Sequence, residues 1–140
     1  MRLALSVLWT WLVLMLAGAL PAGAQERIAL VIGNGAYRNV PALSNPPADA
    51  TAIAAALGRL GFSVNTVLDG SFEEIRRAVL EHGRKARSSE LAIIYFAGHG
   101  MEASGENWLV PVDAELRNDI DAASETVSLR SLMLASVSTR

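Results

Sequence analysis

The sequence contains no cysteine among its 140 residues. This absence excludes disulfide bonds and every reaction in which a cysteine of this chain is the nucleophile. An excess of charge of one sign is also missing, since 12 Lys and Arg residues stand against 14 Asp and Glu residues. Proteins that bind nucleic acid or an anionic membrane surface are typically far more basic. We therefore predict no nucleic-acid partner and no electrostatic attachment to membranes.

Histidine is nearly as scarce, with two occurrences at His82 and His99. They fall on different predicted elements and lack the spacing of a zinc site. Acidic residues cluster from Asp113 to Glu125, but without the spacing of a calcium loop, so this stretch predicts a solvated loop. We predict no metal and no other cofactor. A G-x-S-x-G motif is absent too, which argues against an α/β serine hydrolase.

A long apolar run occurs at the N-terminus. Arg2 is the single charge before Glu26, and small residues follow the run up to Ala22-Gly23-Ala24. This pattern is typical of a secretory signal peptide with an Ala-x-Ala cleavage site. We predict a signal peptide over residues 1–24 and an exported product, periplasmic or secreted. A retained membrane anchor is the alternative, because about 20 apolar residues can span a bilayer.

Residues 25–140 predict one α/β domain. Apolar runs indicate strands at Ile28–Ile32 and at Leu91–Phe96, the second buried on both faces, and alternation over Phe62–Asp69 indicates an edge strand. Pro46 or Pro47, preceded by Ser44 and Asn45 as candidate caps, opens a helix that ends near Gly61, with Ala50, Ile53, Ala54, Leu57 and Leu60 inward. Ser71 and Glu74 form a capping box for a helix to about Arg87, whose inward residues are Phe72, Ile75, Ala78, Val79, His82 and Ala86.

The order strand, helix, strand, helix, strand predicts a three-layer αβα sandwich with a mainly parallel sheet. After it we predict a polar loop over residues 101–107 and a short strand at Trp108–Asp113, placed at an edge or bend by Pro111. Val127–Ala135 predicts a last helix, capped by Ser128, with Leu129, Leu132 and Met133 inward. No strand follows that helix, so we expect a sheet that is incomplete on the C-terminal side, as in a truncated domain.

The stretch Gly98-His99-Gly100 directly follows the Leu91–Phe96 strand. Ligands collect at the carboxyl ends of strands in α/β sheets, and the flanking glycines leave the ring and the backbone N–H groups accessible. We predict that His99 transfers protons for a nucleophile on a neighbouring strand end. Gly33-Asn34-Gly35 suggests nucleotide binding as an alternative. The third glycine of that motif would fall at Arg38, however, which argues against it.

Five segments together resemble the caspase/metacaspase family in its bacterial branch. They are Ile28-Ala-Leu-Val-Ile-Gly-Asn34 with Tyr37, Leu43-Ser-Asn-Pro-Pro-Ala-Asp-Ala50, Leu60-Gly-Phe62, Tyr95-Phe-Ala-Gly-His-Gly-Met101 and Trp108-Leu-Val-Pro-Val-Asp-Ala114. The resemblance runs from Arg27 to about Leu134, in the family's order and spacing. It implies a cysteine endopeptidase acting on peptide or protein substrates. Calcium dependence occurs in the family, but nothing in this sequence supports it.

The resemblance also implies roles for individual residues. His99 matches the histidine of a Cys-His dyad, and Gly100 matches the residue whose N–H helps form the oxyanion hole. Asp49 matches the acidic residue that lines a pocket for a substrate Arg or Lys; taken by itself, it is equally a carboxylate facing a helix dipole.

The sequence departs from the family at the nucleophile, because it contains no cysteine. The family's nucleophile belongs to an Asp-x-Cys segment on the strand after the last helix, and the 140 residues end before such a segment. We therefore predict no peptidase activity for these residues alone. Two hypotheses stay open: a peptidase domain truncated before its cysteine, and an inactive homologue that serves as a binding module.

Overall fold

The computed structural model describes residues 26–136, apart from the side chains of residues 119, 120 and 122. The predicted signal peptide lies outside this range. Among the described residues, no helix has the length and apolarity needed to cross a membrane. In chain order the elements are β1 (Arg27–Gly33), α1 (Pro46–Arg59), β2 (Ser63–Leu68), α2 (Phe72–Ala86), β3 (Leu91–Ala97), β4 (Gly100–Ala103), β5 (Glu106–Leu109), α3 (Asp119–Glu125), β6 (Val127–Ser128) and α4 (Leu129–Ser136).

The main sheet has three parallel strands in the order β2-β1-β3. Its central strand is β1, whose residues 28–33 are all buried. The edge position predicted for β2 is confirmed. The prediction that β3 is buried on both faces is wrong: its residues 92–97 are half-buried and Leu91 is exposed. The reason is that, within residues 26–136, no strand pairs with β3 on the side away from β1.

Helices cover both faces of this sheet. On one face, Leu30 and Ile32 of β1 pack with Ile75 of α2 and Leu132 of α4. On the other face α1 approaches β1 so closely that a Cβ added at Gly33 would lie 2.5 Å from the Cβ of Ala50. Because successive strand residues point to opposite faces, these contacts define three layers. The predicted αβα fold with a mainly parallel sheet is thus confirmed.

The start of α2 shows the predicted capping box. The Ser71 hydroxyl accepts a hydrogen bond from the Glu74 N–H, and the Glu74 carboxylate accepts one from the Ser71 N–H at 2.9 Å. Asp113, which we expected in a solvated loop, instead accepts the Phe72 N–H at 2.9 Å. Three of the N-terminal backbone groups of this helix are therefore engaged by side chains.

The helix α1 begins at Pro46 as predicted, but the predicted side-chain cap is wrong. Asn45 occupies the N-cap position with helical angles and no side-chain cap bond, and the Ser44 hydroxyl bonds to the Asn45 side chain instead. Proline has no N–H, so Pro46 and Pro47 reduce the number of donors that need a cap. At the other end Gly61 has the predicted positive φ, 82°. Leu60, predicted inward, is 61% exposed because it lies beyond the last helical residue.

The second sheet, β4-β5-β6, is antiparallel and corrects two predictions. Residues 101–107, expected to be a loop, belong to a hairpin whose two turn residues, Ser104 and Gly105, both have positive φ. That geometry matches the twist of a two-residue hairpin. The strand predicted at Trp108–Asp113 ends already at Leu109, shortly before Pro111, which cannot donate to a ladder.

The acidic segment also contains a helix, α3, where a solvated loop was expected. The Asp121 carboxylate accepts the N–H groups of Arg117 and Asn118, at 2.8 and 3.1 Å. These bonds close the turn that leads into α3.

The last helix, α4, begins with the predicted cap, since the Ser128 hydroxyl accepts the Ser131 N–H at 3.1 Å. Leu132 is buried as predicted. Leu129 and Met133 are not, being 40% and 62% exposed. Both line an open cleft of about 210 Å³ beside Ile94 of β3, where the sheet has no further strand within the described residues.

Candidate active site

The structure places His99 directly after the carboxyl end of β3, in the link to β4. Two backbone hydrogen bonds hold this link in place. The Asn34 N–H donates to the Ala97 carbonyl at 2.8 Å, and the Val110 N–H donates to the His99 carbonyl at 3.0 Å. The first bond ties the link to the end of β1, and the second ties it to the segment after β5. His99 therefore sits where both sheets and the β1–α1 loop meet.

The imidazole of His99 is held by the β1–α1 loop. Its Nε2 lies 2.8 Å from the carbonyl oxygen of Pro41. A carbonyl can only accept, so this contact requires the proton on Nε2. In the neutral ring Nδ1 then carries a lone pair, and no hydrogen bond engages it within residues 26–136. The arrangement leaves Nδ1 as the proton acceptor of the site.

The backbone and ring of His99 both contact Tyr37. The His99 N–H donates to the Tyr37 hydroxyl at 2.7 Å, and the ring centroids are 4.6 Å apart at an interplanar angle of 53°. Tyr37 is buried, and this burial is the main cause that raises the pKa of its hydroxyl, while the hydrogen bond from His99 lowers it. The phenol is thus neutral near pH 7 and can accept this bond.

The N–H of Gly100 has an open side. The bond from Val110 N to His99 O identifies 99 and 110 as a hydrogen-bonded pair of the β4–β5 ladder. Such pairs alternate along an antiparallel ladder, so Gly100, opposite Leu109, points its N–H away from β5. Because β4 is the edge strand of its sheet within residues 26–136, this donor faces an edge that no described strand occupies. A donor with that orientation can bind a developing oxyanion.

Asp49 lies in the first turn of α1 with an exposed side chain. The helix starts after the loop from the carboxyl end of β1, so Asp49 is at the same end of the sheet as His99. No ion pair or hydrogen bond joins its carboxylate to His99 or to any cation within the described range. The carboxylate is accordingly available to an external group.

Two side chains that the sequence prediction did not single out hold the site together. The fully buried Asn34 donates to the Val110 carbonyl at 3.2 Å and accepts the Gly70 N–H at 3.0 Å. Asp69, with a φ of 51°, accepts two N–H groups of the β1–α1 loop, each at 2.8 Å. The sequence signals were Gly33-Asn34-Gly35, interpreted as a glycine turn and weighed as a nucleotide-binding motif, and Asp69-Gly70, interpreted as a turn. Their side chains in fact cross-link three strand ends.

The other histidine is remote from this site. His82 is buried on α2, beside Ile28 and Ser63, which lie near the starts of β1 and β2. His99 follows the end of β3, so the two rings lie at opposite ends of the parallel sheet. Nor do the described residues contain three His, Asp or Glu side chains grouped to hold a metal ion.

A helix-flanked parallel sheet with a histidine at a strand end, followed by an exposed glycine N–H, is the arrangement of a caspase-like domain. The sequence profile of the caspase domain family matches residues 26–133, and the chain belongs to this family. The family resemblance predicted from the sequence is confirmed. As a peptidase family, it acts on proteins or peptides.

Two mammalian proteins are similar to this chain. One is mucosa-associated lymphoid tissue lymphoma translocation protein 1 of Homo sapiens, 38% identical over 91 residues, which is 65% of this chain and 11% of that protein. Its homolog of Mus musculus is 36% identical over 91 residues, with the same coverage of 65% and 11%. The chain thus spans about a tenth of the length of these curated relatives.

Proposed function

We propose that this chain is the histidine-bearing part of a caspase-type cysteine endopeptidase that cleaves after basic residues. The thiol comes from outside these 140 residues, which contain no cysteine. One observation carries the proposal: Nε2 of His99 is bonded to the Pro41 carbonyl, which leaves Nδ1 open next to the free N–H of Gly100. A proton acceptor and an oxyanion donor on consecutive residues suit acyl transfer.

The reaction assigns a step to each group. The thiol proton passes to Nδ1 of His99, and the sulfur attacks the carbonyl carbon of the scissile peptide bond. The Gly100 N–H stabilises the negative charge that develops on the carbonyl oxygen. Nδ1 then gives its proton to the leaving amine as the C–N bond breaks. A water molecule, deprotonated by His99, hydrolyses the thioester and regenerates the thiol.

Asp49 supplies the preference for basic residues in this proposal. Its carboxylate is exposed, has no cation partner among the described residues, and lies at the His99 end of the sheet. A substrate Arg or Lys would pair with it. We expect Asp49→Asn in a thiol-bearing form to lower kcat/KM for Arg substrates by about tenfold or more, as loss of a charge-assisted hydrogen bond does. The matched control Asp121→Asn should leave kcat/KM unchanged, since Asp121 caps the turn before α3.

A second function, an inactive binding module, is favoured by the absence of cysteine. Without a sulfur nucleophile His99 has no proton to accept from a thiol, so the chain would hold a peptide without cleaving it. The two functions differ in whether a longer, cysteine-containing form of the protein exists. The peptidase requires such a form, and the binding module does not.

The experiment begins with the 140-residue chain, which we expect to leave fluorogenic Arg and Lys peptides intact. The DNA beyond codon 140 is then read in all three frames. A strand-like sequence ending in Asp-x-Cys, whose inclusion restores cleavage, supports the peptidase. Unrelated sequence supports the binding module. In the active form His99→Ala should abolish cleavage, whereas the matched control His82→Gln should retain it; a fully active His99→Ala variant would refute the proposed site.

We also propose that residues 1–24 direct export. The support is the order of Arg2, the apolar run and the Ala22-Gly23-Ala24 site. N-terminal sequencing of the protein from a bacterial expression host should show a mature start at Gln25 in the periplasm or medium. An intact Met1 in the membrane fraction would instead identify an anchor.

A further inference from the structure

We propose that Tyr37 is a positioning residue for His99, whose hydroxyl and ring together keep the imidazole in the orientation that leaves Nδ1 open. This inference rests on the proposed role of His99. It adds to that role a residue that lies 62 positions away in sequence.

The contacts of His99 show how the orientation is fixed. The Pro41 carbonyl holds Nε2, which restrains one end of the ring. That single bond still permits the ring to swing with its backbone. Tyr37 removes this freedom, because its hydroxyl accepts the His99 N–H at 2.7 Å and its ring packs against the imidazole at 4.6 Å. The backbone and the ring of His99 are thus both contacted by one side chain.

Tyr37 is itself rigidly placed. Its side chain is 8% exposed and packs with Val110 and Val112 in a second apolar cluster. The hydroxyl reaches the His99 backbone because residue 98 is glycine: a Cβ there would lie 2.5 Å from the Tyr37 oxygen. The glycine before His99 therefore provides the space in which the tyrosine hydroxyl binds.

A purely structural role would require only the ring of Tyr37. Phenylalanine would fill the same apolar cluster, and a buried hydroxyl is costly unless it is hydrogen-bonded. Two hydrogen bonds engage this hydroxyl: it accepts the His99 N–H at 2.7 Å, and it bonds with the side chain of Asn34. Through the first of these bonds the hydroxyl acts on the His99 backbone, so its removal should change the orientation and amide protection of His99.

The experiment compares the 140-residue chain with its Tyr37→Phe variant by NMR of the ¹⁵N-labelled His99 ring and backbone. We expect the wild type to show one tautomer, protonated on Nε2, and the variant to show a mixture of both. The His99 amide should exchange with solvent about tenfold faster in the variant after correction for any change in global stability, the ratio that loss of one ordinary hydrogen bond produces. Tyr95→Phe, at the other tyrosine, is the matched control and should change neither property.

A wild-type measurement covers the case in which Tyr37→Phe does not fold. The His99 amide should be protected from exchange about tenfold more than the Gly100 amide, which has no hydrogen-bond acceptor among the described residues, for the same reason. Equal protection of the two amides, or an unchanged tautomer ratio and amide exchange in a folded Tyr37→Phe variant, would overturn the inference. These results are separable from the proposed function, which fails instead if a thiol-bearing form stays active with His99→Ala.

Discussion

At the scale of single residues, the two histidines differ in what surrounds each ring. His99 has a carbonyl, a hydroxyl and an open nitrogen around it. His82 is 5% exposed, and its Nε2 is buried without a hydrogen-bond partner among the described residues. Burial, and secondarily the charge of Lys85, lower the pKa of His82 below its usual 6.5. This environment favours the neutral form of the His82 ring over the protonated form.

His82 should make folding pH-dependent. Its pKa is lower in the folded state, so below about pH 6.5 the unfolded chain binds a proton that the folded chain does not. The free energy of unfolding should therefore be highest above pH 6.5 and should fall as the pH drops towards the folded pKa. Urea titrations at a series of pH values from about 5 to 8, a range that includes the usual histidine pKa, measure how the free energy of unfolding changes with pH.

Replacing His82 with Phe should remove that contribution to the slope, because the apolar ring has no site to protonate. It should leave stability at pH 7.5 equal or higher, since the unpartnered Nε2 disappears. The matched control His99→Gln should retain the slope that His82 produces. An equal slope in the wild type and His82→Phe would show that the buried ring is not the cause.

The site residues divide according to how far apart their partners lie in sequence. His99 and Gly100 could be predicted because a glycine-flanked histidine after an apolar run is a local pattern. The contacts of Pro41 and Tyr37 with His99 could not be predicted, because these residues lie 58 and 62 positions away from His99 in the sequence. Asn34 was missed for the same reason: its partners, Gly70 and Val110, are brought to it by the fold.

At the scale of elements, the sequence predicted the strands and helices that have a clear hydrophobic pattern or a capping motif. The strands β1 and β2 and the capping box of α2 are of this kind. The β4–β5 hairpin was missed because its strands have four residues each and no clear alternation. The inward side of α4 was misjudged for a different reason. Helical periodicity indicates an apolar stripe, but tertiary packing decides how much of the stripe is covered.

The contact of α1 with β1 should be sensitive to a single methyl group. A Cβ at Gly33 would lie 2.6 Å from the Pro46 carbonyl oxygen, which is backbone and cannot rotate away. We expect Gly33→Ala to lower the free energy of unfolding by about 1–3 kcal/mol or more, as overpacking does. Equilibrium denaturation in urea measures this change.

Gly58→Ala, in the same helix, is the matched control. Nothing lies within 4 Å of a Cβ at that position, and alanine favours the helix, so it should stabilise by about 0.5–1 kcal/mol. A neutral Gly33→Ala variant would mean that α1 does not pack on β1 as closely as described.

At the scale of the whole molecule, the three-layer core formed by residues 26–136 is open beside β3. The strand is half-buried, and Ile94 and Phe96 line the cleft that also contacts Met133 of α4. A parallel strand usually needs cover on both faces and a neighbour on each side. An edge strand without charge or proline is also a template for pairing with another chain, and Leu91–Ala97 contains neither.

We therefore expect the 140-residue chain to be weakly stable and to associate. Its thermal midpoint should lie below about 45 °C, the lower limit for ordinary mesophilic domains, and sedimentation should show association that increases with protein concentration. Met133→Gln should reduce this association, because that side chain is 62% exposed at the cleft. Leu60→Gln, equally exposed at 61% but at the end of α1, is the matched control and should not. A cooperative melt at high temperature, independent of concentration, would show that the exposed edge of β3 imposes no cost on the fold.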